Sequence, residues 1–227
     1  MSVSELELTE FRAEVSAWMH ENNPKDPGFL LPQTFMEVGD ERQLEFLREW
    51  QHKVWAAGYL GMAWPEAYGG RGADPAFQTI ADQEMRRHAV PISFNIIGLG
   101  WAGPLINDIG TTEEKEKYLK RILTAEDVWC QGFSEPENGS DLGNAQTRAV
   151  RDGDEYVING QKMWTSESSF ADYCWLAVRT DPDAKKHKGI SILAVPMKTA
   201  GITLQPLDLL STHDINALHF DDVRVPV

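Results

Sequence analysis

The hydrophobic pattern of this chain changes period once, near Val128. Before that point apolar residues recur every three or four positions, the spacing of one helix face. Leu8, Phe11, Val15 and Trp18 form the first such stripe, and Ser4 followed by Glu7 has the form of a capping box. The prolines and glycine of residues 23–32 predict a loop. A second stripe, Leu44, Leu47, Trp50 and Val54, predicts a helix that starts at Asp40 and stops near Gly58. Pro65, Gly69, Gly70, Gly72 and Pro75 then predict a long connection. A third helix is expected over residues 76–88, and an apolar fourth over residues 91–109, stopped by Gly110. Thr111 and Glu114 set a second capping box before a charged helix, where Glu113–Lys117 and Glu116–Lys120 suit ion pairs on a solvated outer face.

After Val128 apolar and polar residues alternate. Residues 145–151 and 155–163 flank Asp152-Gly153, which is hairpin chemistry. Strands are expected over 173–179, 190–195, 202–204 and 217–225. Helices followed by strands predict an α+β chain. The expected division is a helical N-terminal domain over residues 1–126, then a small antiparallel β-barrel-like domain over 127–227. No internal repeat or low-complexity segment interrupts it.

With 227 residues, 42% of them hydrophobic, the chain has enough apolar material for a real core. Its net charge of −14 argues against nucleic-acid binding, which depends on neutralising phosphates. Cys130 and Cys174 both lie in apolar runs and read as buried thiols, not as a disulfide or metal pair. No histidine has partners at metal spacing, so no metal site is expected. The acidic, polar N-terminus does not read as a signal peptide, and no apolar run approaches the ~20 residues that span a bilayer. A reduced, cytoplasmic protein is expected.

Two stretches carry candidate chemistry. The first is Cys130-Gln131-Gly132-Phe133-Ser134-Glu135-Pro136-Glu137-Asn138-Gly139-Ser140-Asp141. It begins apolar and ends in turn chemistry. Pro136 fixes φ, and Asn138-Gly139 takes positive φ at little cost. Successive N–H groups of such a turn suit an anion or a polarised carbonyl, and Ser134 and Ser140 add hydroxyls on either side. The second stretch, Gln161-Lys162-Met163-Trp164-Thr165-Ser166, offers a large flat ring followed by two hydroxyls. Taken alone, Trp164 is a core aromatic closing a strand and Ser134 an ordinary turn hydroxyl.

Together these stretches resemble the acyl-CoA dehydrogenase family. The resemblance runs from about Trp50 to Val227 and is strongest from Val128 to Val195, where Asn159-Gly160-Gln161-Lys162-Met163-Trp164-Thr165 reads almost as the family does. It implies FAD as cofactor and α,β-dehydrogenation of an acyl-CoA thioester. It also implies an electron-transferring flavoprotein as acceptor and a homo- or hetero-oligomer. By the same resemblance Gln131, Phe133, Ser134, Gly139 and Ser140 line the flavin or the thioester channel, with Ser140 touching both cofactor and CoA chain. Trp164 lies against the isoalloxazine, and Thr165 and Ser166 bond near flavin N5. His187, in the run Lys185-Lys186-His187-Lys188, is implied to touch the CoA nucleotide; taken alone the run is a solvated hairpin tip. Residues 96–104 resemble the helix that floors the acyl pocket, and close helix packing at glycine explains them equally well. Gln131 and the pair Glu137-Asn138 depart from the family's pattern.

In the family the base is a glutamate of a C-terminal helical bundle. This chain stops at Val227, where that bundle would begin, and none of its carboxylates matches the base. Glu135 belongs to the turn. No catalytic residue is therefore named, and the chain alone is expected to turn over poorly. It reads as a truncated enzyme or as a short subunit completed by a partner, as in heteromeric members of which one subunit lacks the base. The alternatives are a related flavoenzyme, such as a nitroalkane oxidase or flavin-dependent oxygenase, and a non-enzymatic interaction scaffold.

Overall fold

A computed structural model of the chain describes residues 3–24, 27–210 and 214–227. It comprises two compact units, Met1–Phe35 with Asp40–Glu126, and Met36–Gly39 with Asp127–Val227. Lys25 and Asp26, inside the expected loop 23–32, lie outside the described residues.

The first unit is helical. α1 (Glu5–Asn22) starts in the capping box of Ser4 and Glu7. α2 (Glu41–Ala56) starts at Asp40, whose side chain accepts from Gln43 N–H. α3 covers Pro75–Arg87. Val15 and Met19 of α1, Trp50 and Val54 of α2, Ala81 of α3, and Leu123 form its core with Tyr59, Leu60 and Met62.

The expected fourth helix is shorter than residues 91–109. Backbone groups of residues 91–95 bond elsewhere: Trp50 Nε1 donates to Pro91 O at 2.8 Å, and Asn95 N–H donates to Gln51 Oε1 at 3.3 Å. Helical backbone begins at Ile96 and passes through a π-segment, Gly98–Ala102, before α4 (Gly103–Ile109). Two local features favour the π-segment. Pro104 has no N–H to return to the preceding turn. Gly103 is packed under the Trp64 ring, where a Cβ would stand 2.1 Å from the ring edge. α5 (Thr112–Leu123) has the second capping box, at Thr111 and Glu114. It is not wholly a solvated face, because Tyr118, Leu119, Ile122 and Leu123 are buried. Lys117 and Lys120 lie over the rings of Tyr118 and Trp55.

The second unit is a curled sheet of β1 (Trp129–Gly132), β2 (Arg148–Asp152), β3 (Glu155–Ser166), β4 (Tyr173–Arg179), β5 (Ile190–Pro196), β6 (Ile202–Pro206) and β7 (Ile215–Pro226). The order is β1-β4-β2-β3-β7-β6, with β5 also on β4. Most pairings are antiparallel, including the β2–β3 hairpin at Asp152-Gly153. The sheet is nevertheless mixed, since β1 runs parallel to β4 from Trp129↔Tyr173 to Gly132↔Leu176, and β2 touches β4 in parallel at Arg148↔Arg179. Its core gathers Cys130, Cys174, Leu176, Ile158, Leu218 and Phe220 with their neighbours. Cys130 and Cys174 are free, buried and in register on adjacent strands.

Among the described residues no helix is long and apolar enough to cross a membrane, and no group of three or more His, Cys, Asp or Glu side chains could hold a metal ion.

Candidate functional site

All the residues singled out in the two stretches lie in the second unit, and its sheet brings the stretches together. Just beyond β1, Ser134 O accepts from Met163 N–H of β3 at 2.8 Å. Phe133 O accepts from Lys162 Nζ at 3.1 Å. Phe133 and Ser134 are therefore fixed beside Lys162 and Met163, while Gln131 lies on β1 in register with Trp175 of β4.

The lysine that makes this join is fully buried and is paired with Glu135 at 2.8 Å. The Glu135 carboxylate also accepts from Gln146 N–H at 2.6 Å and Thr147 N–H at 2.9 Å. Burial pushes the Glu135 carboxyl up, but Lys162 and the two N–H groups outweigh it and hold it below the ordinary range. For Lys162, burial depresses the ammonium and Glu135 opposes that. One ion pair thus ties the turn after β1, the entry to β2 and the middle of β3 together. Glu135, with three donors on its two oxygens, is committed to this clamp and is unsuited to act as a base.

The turn itself is tighter than Asn138-Gly139 implies. Glu135 and Asn138 exchange backbone hydrogen bonds in both directions, which puts Pro136 and Glu137 at its tip. Neither Asn138 nor Gly139 takes positive φ. Gly139 and Ser140 are exposed, and a Cβ on Gly139 would meet nothing within 4 Å.

The Trp164 segment is strained. Strand parity would send Trp164 inward with Ile158 and Lys162. A register shift between Lys162 and Thr165 breaks the parity, and Trp164 takes a φ of 62°. A non-glycine residue there costs on the order of 1–3 kcal/mol, and residues so held cluster at functional sites. The result is an indole 57% exposed in this chain. Beside it Thr165 is buried, and its Oγ1 has no hydrogen-bond partner; Ser166 is half-buried.

His187 sits apart from this cluster, exposed in a short 3₁₀ turn, Lys186–Gly189. That turn lies against Leu142–Asn144, which closely follows Ser140. The link is Arg179, which donates to Ala145 O at 3.0 Å, Gly143 O at 2.6 Å and Lys186 O at 3.3 Å. Ser140 and His187 are therefore carried on neighbouring turns.

Three residues at this site escaped the sequence reading. The pairing of Lys162 with Glu135 had one signal, a lysine at an inward strand position, which demands a buried carboxylate. Arg179 had none, because its acceptors are backbone carbonyls. Glu167 follows Ser166 directly. It is buried at a φ of 60°, and neither carboxylate oxygen has a partner. Burial, with Asp214 adding to it, raises its carboxyl to about 9, so it is neutral at physiological pH.

Comparison with known proteins follows this geometry. The model of the acyl-CoA dehydrogenase N-terminal domain matches residues 7–126, and that of the acyl-CoA dehydrogenase middle domain matches residues 130–223. The chain is 35% identical over 223 residues to acyl-CoA dehydrogenase IpdE1 of Mycobacterium tuberculosis (strain ATCC 25618 / H37Rv), covering 96% of this chain and 57% of the relative. Among solved structures, the Tcur3481-Tcur3483 steroid ACAD superposes with a TM-score of 0.81 at 38% identity, covering 100% of this chain and 57% of that one. The ChsE4-ChsE5 complex from Mycobacterium tuberculosis gives a TM-score of 0.79 at 35% identity, covering 100% of this chain and 56% of that one. The chain thus spans little more than half the length of these relatives.

Proposed function

The chain belongs to the acyl-CoA dehydrogenase family, and from that membership we propose that it contributes the flavin-facing part of an enzyme that oxidises an acyl-CoA thioester between its α and β carbons. The observation that carries the reading is the Trp164-Thr165-Ser166 segment: an exposed indole on strained backbone beside a buried, unpartnered hydroxyl. A flat cofactor with polar edges fits both, the ring through stacking and the edge through hydrogen bonds. FAD, when bound, supplies the two-electron oxidation that no side chain can carry out.

The chain's own residues have separable tasks in this reading. Trp164 packs on the flat face and excludes water. Thr165 and Ser166 donate to polar edge atoms. Gln131, Phe133 and Ser134 form the opposite lip, kept in place by Lys162 and Glu135. Gly139 and Ser140 leave room for the thioester, and Ser140 offers it a donor. His187, on the neighbouring turn, takes the nucleotide end of CoA among Lys185, Lys186 and Lys188. No residue of this chain is assigned as the base, and an electron-transferring flavoprotein is the acceptor. Both solved structures described above are named as pairs of chains, and one is named a steroid enzyme. We extend both properties to this chain, as a subunit of a hetero-oligomer that handles a polycyclic acyl group.

The test is flavin content and potential of the purified protein, together with any chain that copurifies. Trp164→Ala with Ser166→Ala is expected to lower FAD retention at least tenfold or to move the potential. Unchanged content with unchanged potential would refute the assignment.

A further inference from the structure

Asn-Gly occurs twice in this chain, at Asn138-Gly139 and at Asn159-Gly160. The pair has a chemistry of its own, because glycine has no Cβ to keep its amide nitrogen away from the carboxamide carbon of the preceding asparagine. The fold treats the two sites oppositely. Asn159 lies within β3, between β2 and β7. Asp222 holds its carboxamide at both ends: Nδ2 donates to Asp222 Oδ1 at 2.9 Å, and Oδ1 accepts from Asp222 N–H at 3.0 Å. Gly160 is packed against Thr147. Asn138 has neither restraint. It ends the tight turn begun by Glu135, and its one side-chain bond runs from Nδ2 to Asn144 O at 2.9 Å. Such a neutral bond contributes ~0.5–1.5 kcal/mol, so it stands open about a tenth of the time or more. Among the described residues nothing donates to Asn138 Oδ1, and Gly139 N–H makes no hydrogen bond. Gly139 is exposed, with open space where a Cβ would stand. Asn138 also belongs to the pair that departs from the family's pattern, so its chemistry is particular to this chain.

We propose that Asn138 is a self-modifying site: its carboxamide closes onto Gly139, loses ammonia and opens with water to aspartate or isoaspartate. The Gly139 nitrogen gives up its proton and bonds to Asn138 Cγ. The bond from Cγ to Nδ2 breaks, and Nδ2 leaves with that proton as ammonia. Water then adds to either carbonyl of the resulting cyclic imide and breaks its bond to the ring nitrogen, which leaves a carboxylate. Nothing is oxidised or reduced, and solvent water is the sole co-reactant. The product changes the turn. A carboxylate cannot donate to Asn144 O, so the clasp becomes a repulsion. A negative charge now stands two residues before Ser140, where the acyl-CoA reading above brings an anionic ligand; that consequence rests on the reading, and the modification does not.

The test incubates the whole purified protein in mildly alkaline buffer, folded and in urea, and follows peptide masses localised by fragmentation. In the folded protein Asn138 is expected to gain about 1 Da, at least about tenfold faster than Asn159, which reacts only when β3 opens. In urea the two are expected to react at similar rates. Gly139→Ala is expected to slow the change at Asn138 at least about tenfold with an unchanged melting temperature, since its Cβ crowds only the attacking nitrogen. Asn138→Asp, which stands for the direct product, is expected to speed amide exchange at Asn144 and Ala145 severalfold. Thr147 N–H, held by Glu135, should stay as it was. An unchanged mass at Asn138, equal rates at the two sites in the folded protein, or a rate indifferent to Gly139→Ala would overturn the proposal. A slow Asn159 in urea as well would show that local sequence sets the contrast and would remove its structural basis. Exchange left unchanged by Asn138→Asp would overturn the effect on the turn. A protein that modifies Asn138 yet binds no acyl-CoA keeps the proposal and loses only the consequence for the ligand.

Discussion

An ammonium group with no contact to water survives only where its charge is answered, and at Lys162 the answer is Glu135 together with Phe133 O. Removing one member of such a pair strands the other. Lys162→Met is expected to destabilise the second unit by about 3–5 kcal/mol. Adding Glu135→Gln should recover part of that loss, because the stranded charge disappears. Urea unfolding of both variants gives the comparison, and a double variant as unstable as the sum of its singles would show that the pair is not coupled. Glu167 presents the opposite case, a carboxyl with no counter-charge. Folded it ionises at about 9, unfolded near its ordinary 4.5. Its protonated form favours the fold, so its contribution is complete below about pH 4.5 and is lost as pH rises toward 9. The whole span is worth on the order of 5 kcal/mol. Glu167→Gln, which cannot ionise, should therefore gain stability over wild type between pH 5 and pH 9. Parallel stability curves for the two proteins would refute the assignment. Lys162 lies in the legible motif and Glu167 just beyond it, yet their roles were hidden, since partner and burial come from segments distant in sequence.

At the scale of elements, local chemistry was readable wherever it decides the structure. Both capping boxes, the Asp40 cap and the Asp152-Gly153 hairpin form as their residues dictate. What failed to show were effects of distant parts of the chain. The parallel pairing of β1 with β4 joins segments about forty residues apart, and alternation alone does not give strand direction. Residues 91–95 are apolar enough for a helix, but Gln51 and Trp50 claim their backbone. The irregularities of β3 were hidden too. Gly160 sits at one of them with φ 148°, and a Cβ there would come within 2.6 Å of Thr147 Cα. Gly160→Ala should destabilise the unit by several kcal/mol, because backbone strain and overlap add. Gly139→Ala, with ordinary φ and open space, should change stability by less than about 0.5 kcal/mol. Comparable losses from both would mean that the clash at Thr147 relaxes freely.

For the molecule as a whole, each unit has its own core. All the proposed flavin contacts belong to the second. Added FAD should slow amide hydrogen exchange over 131–134 and 163–168, and leave the amides of Leu47 and Val54 in α2 unchanged. Protection confined to the helical unit would contradict the site. The longest ladder of the sheet has a further consequence, in the order of events during synthesis. β3 pairs with β7 from Glu155↔Pro226 to Ser166↔Ile215, so its second edge stays bare until residue 226 has left the ribosome. Through that interval the nascent hairpin of β2 and β3 presents an open row of backbone groups around Val157 and Ile158, a surface on which another chain could add a strand. Slowing translation between residues 167 and 226 is therefore expected to lower the yield of folded protein, and equal soluble yields from synonymous fast- and slow-codon versions of that stretch would refute it.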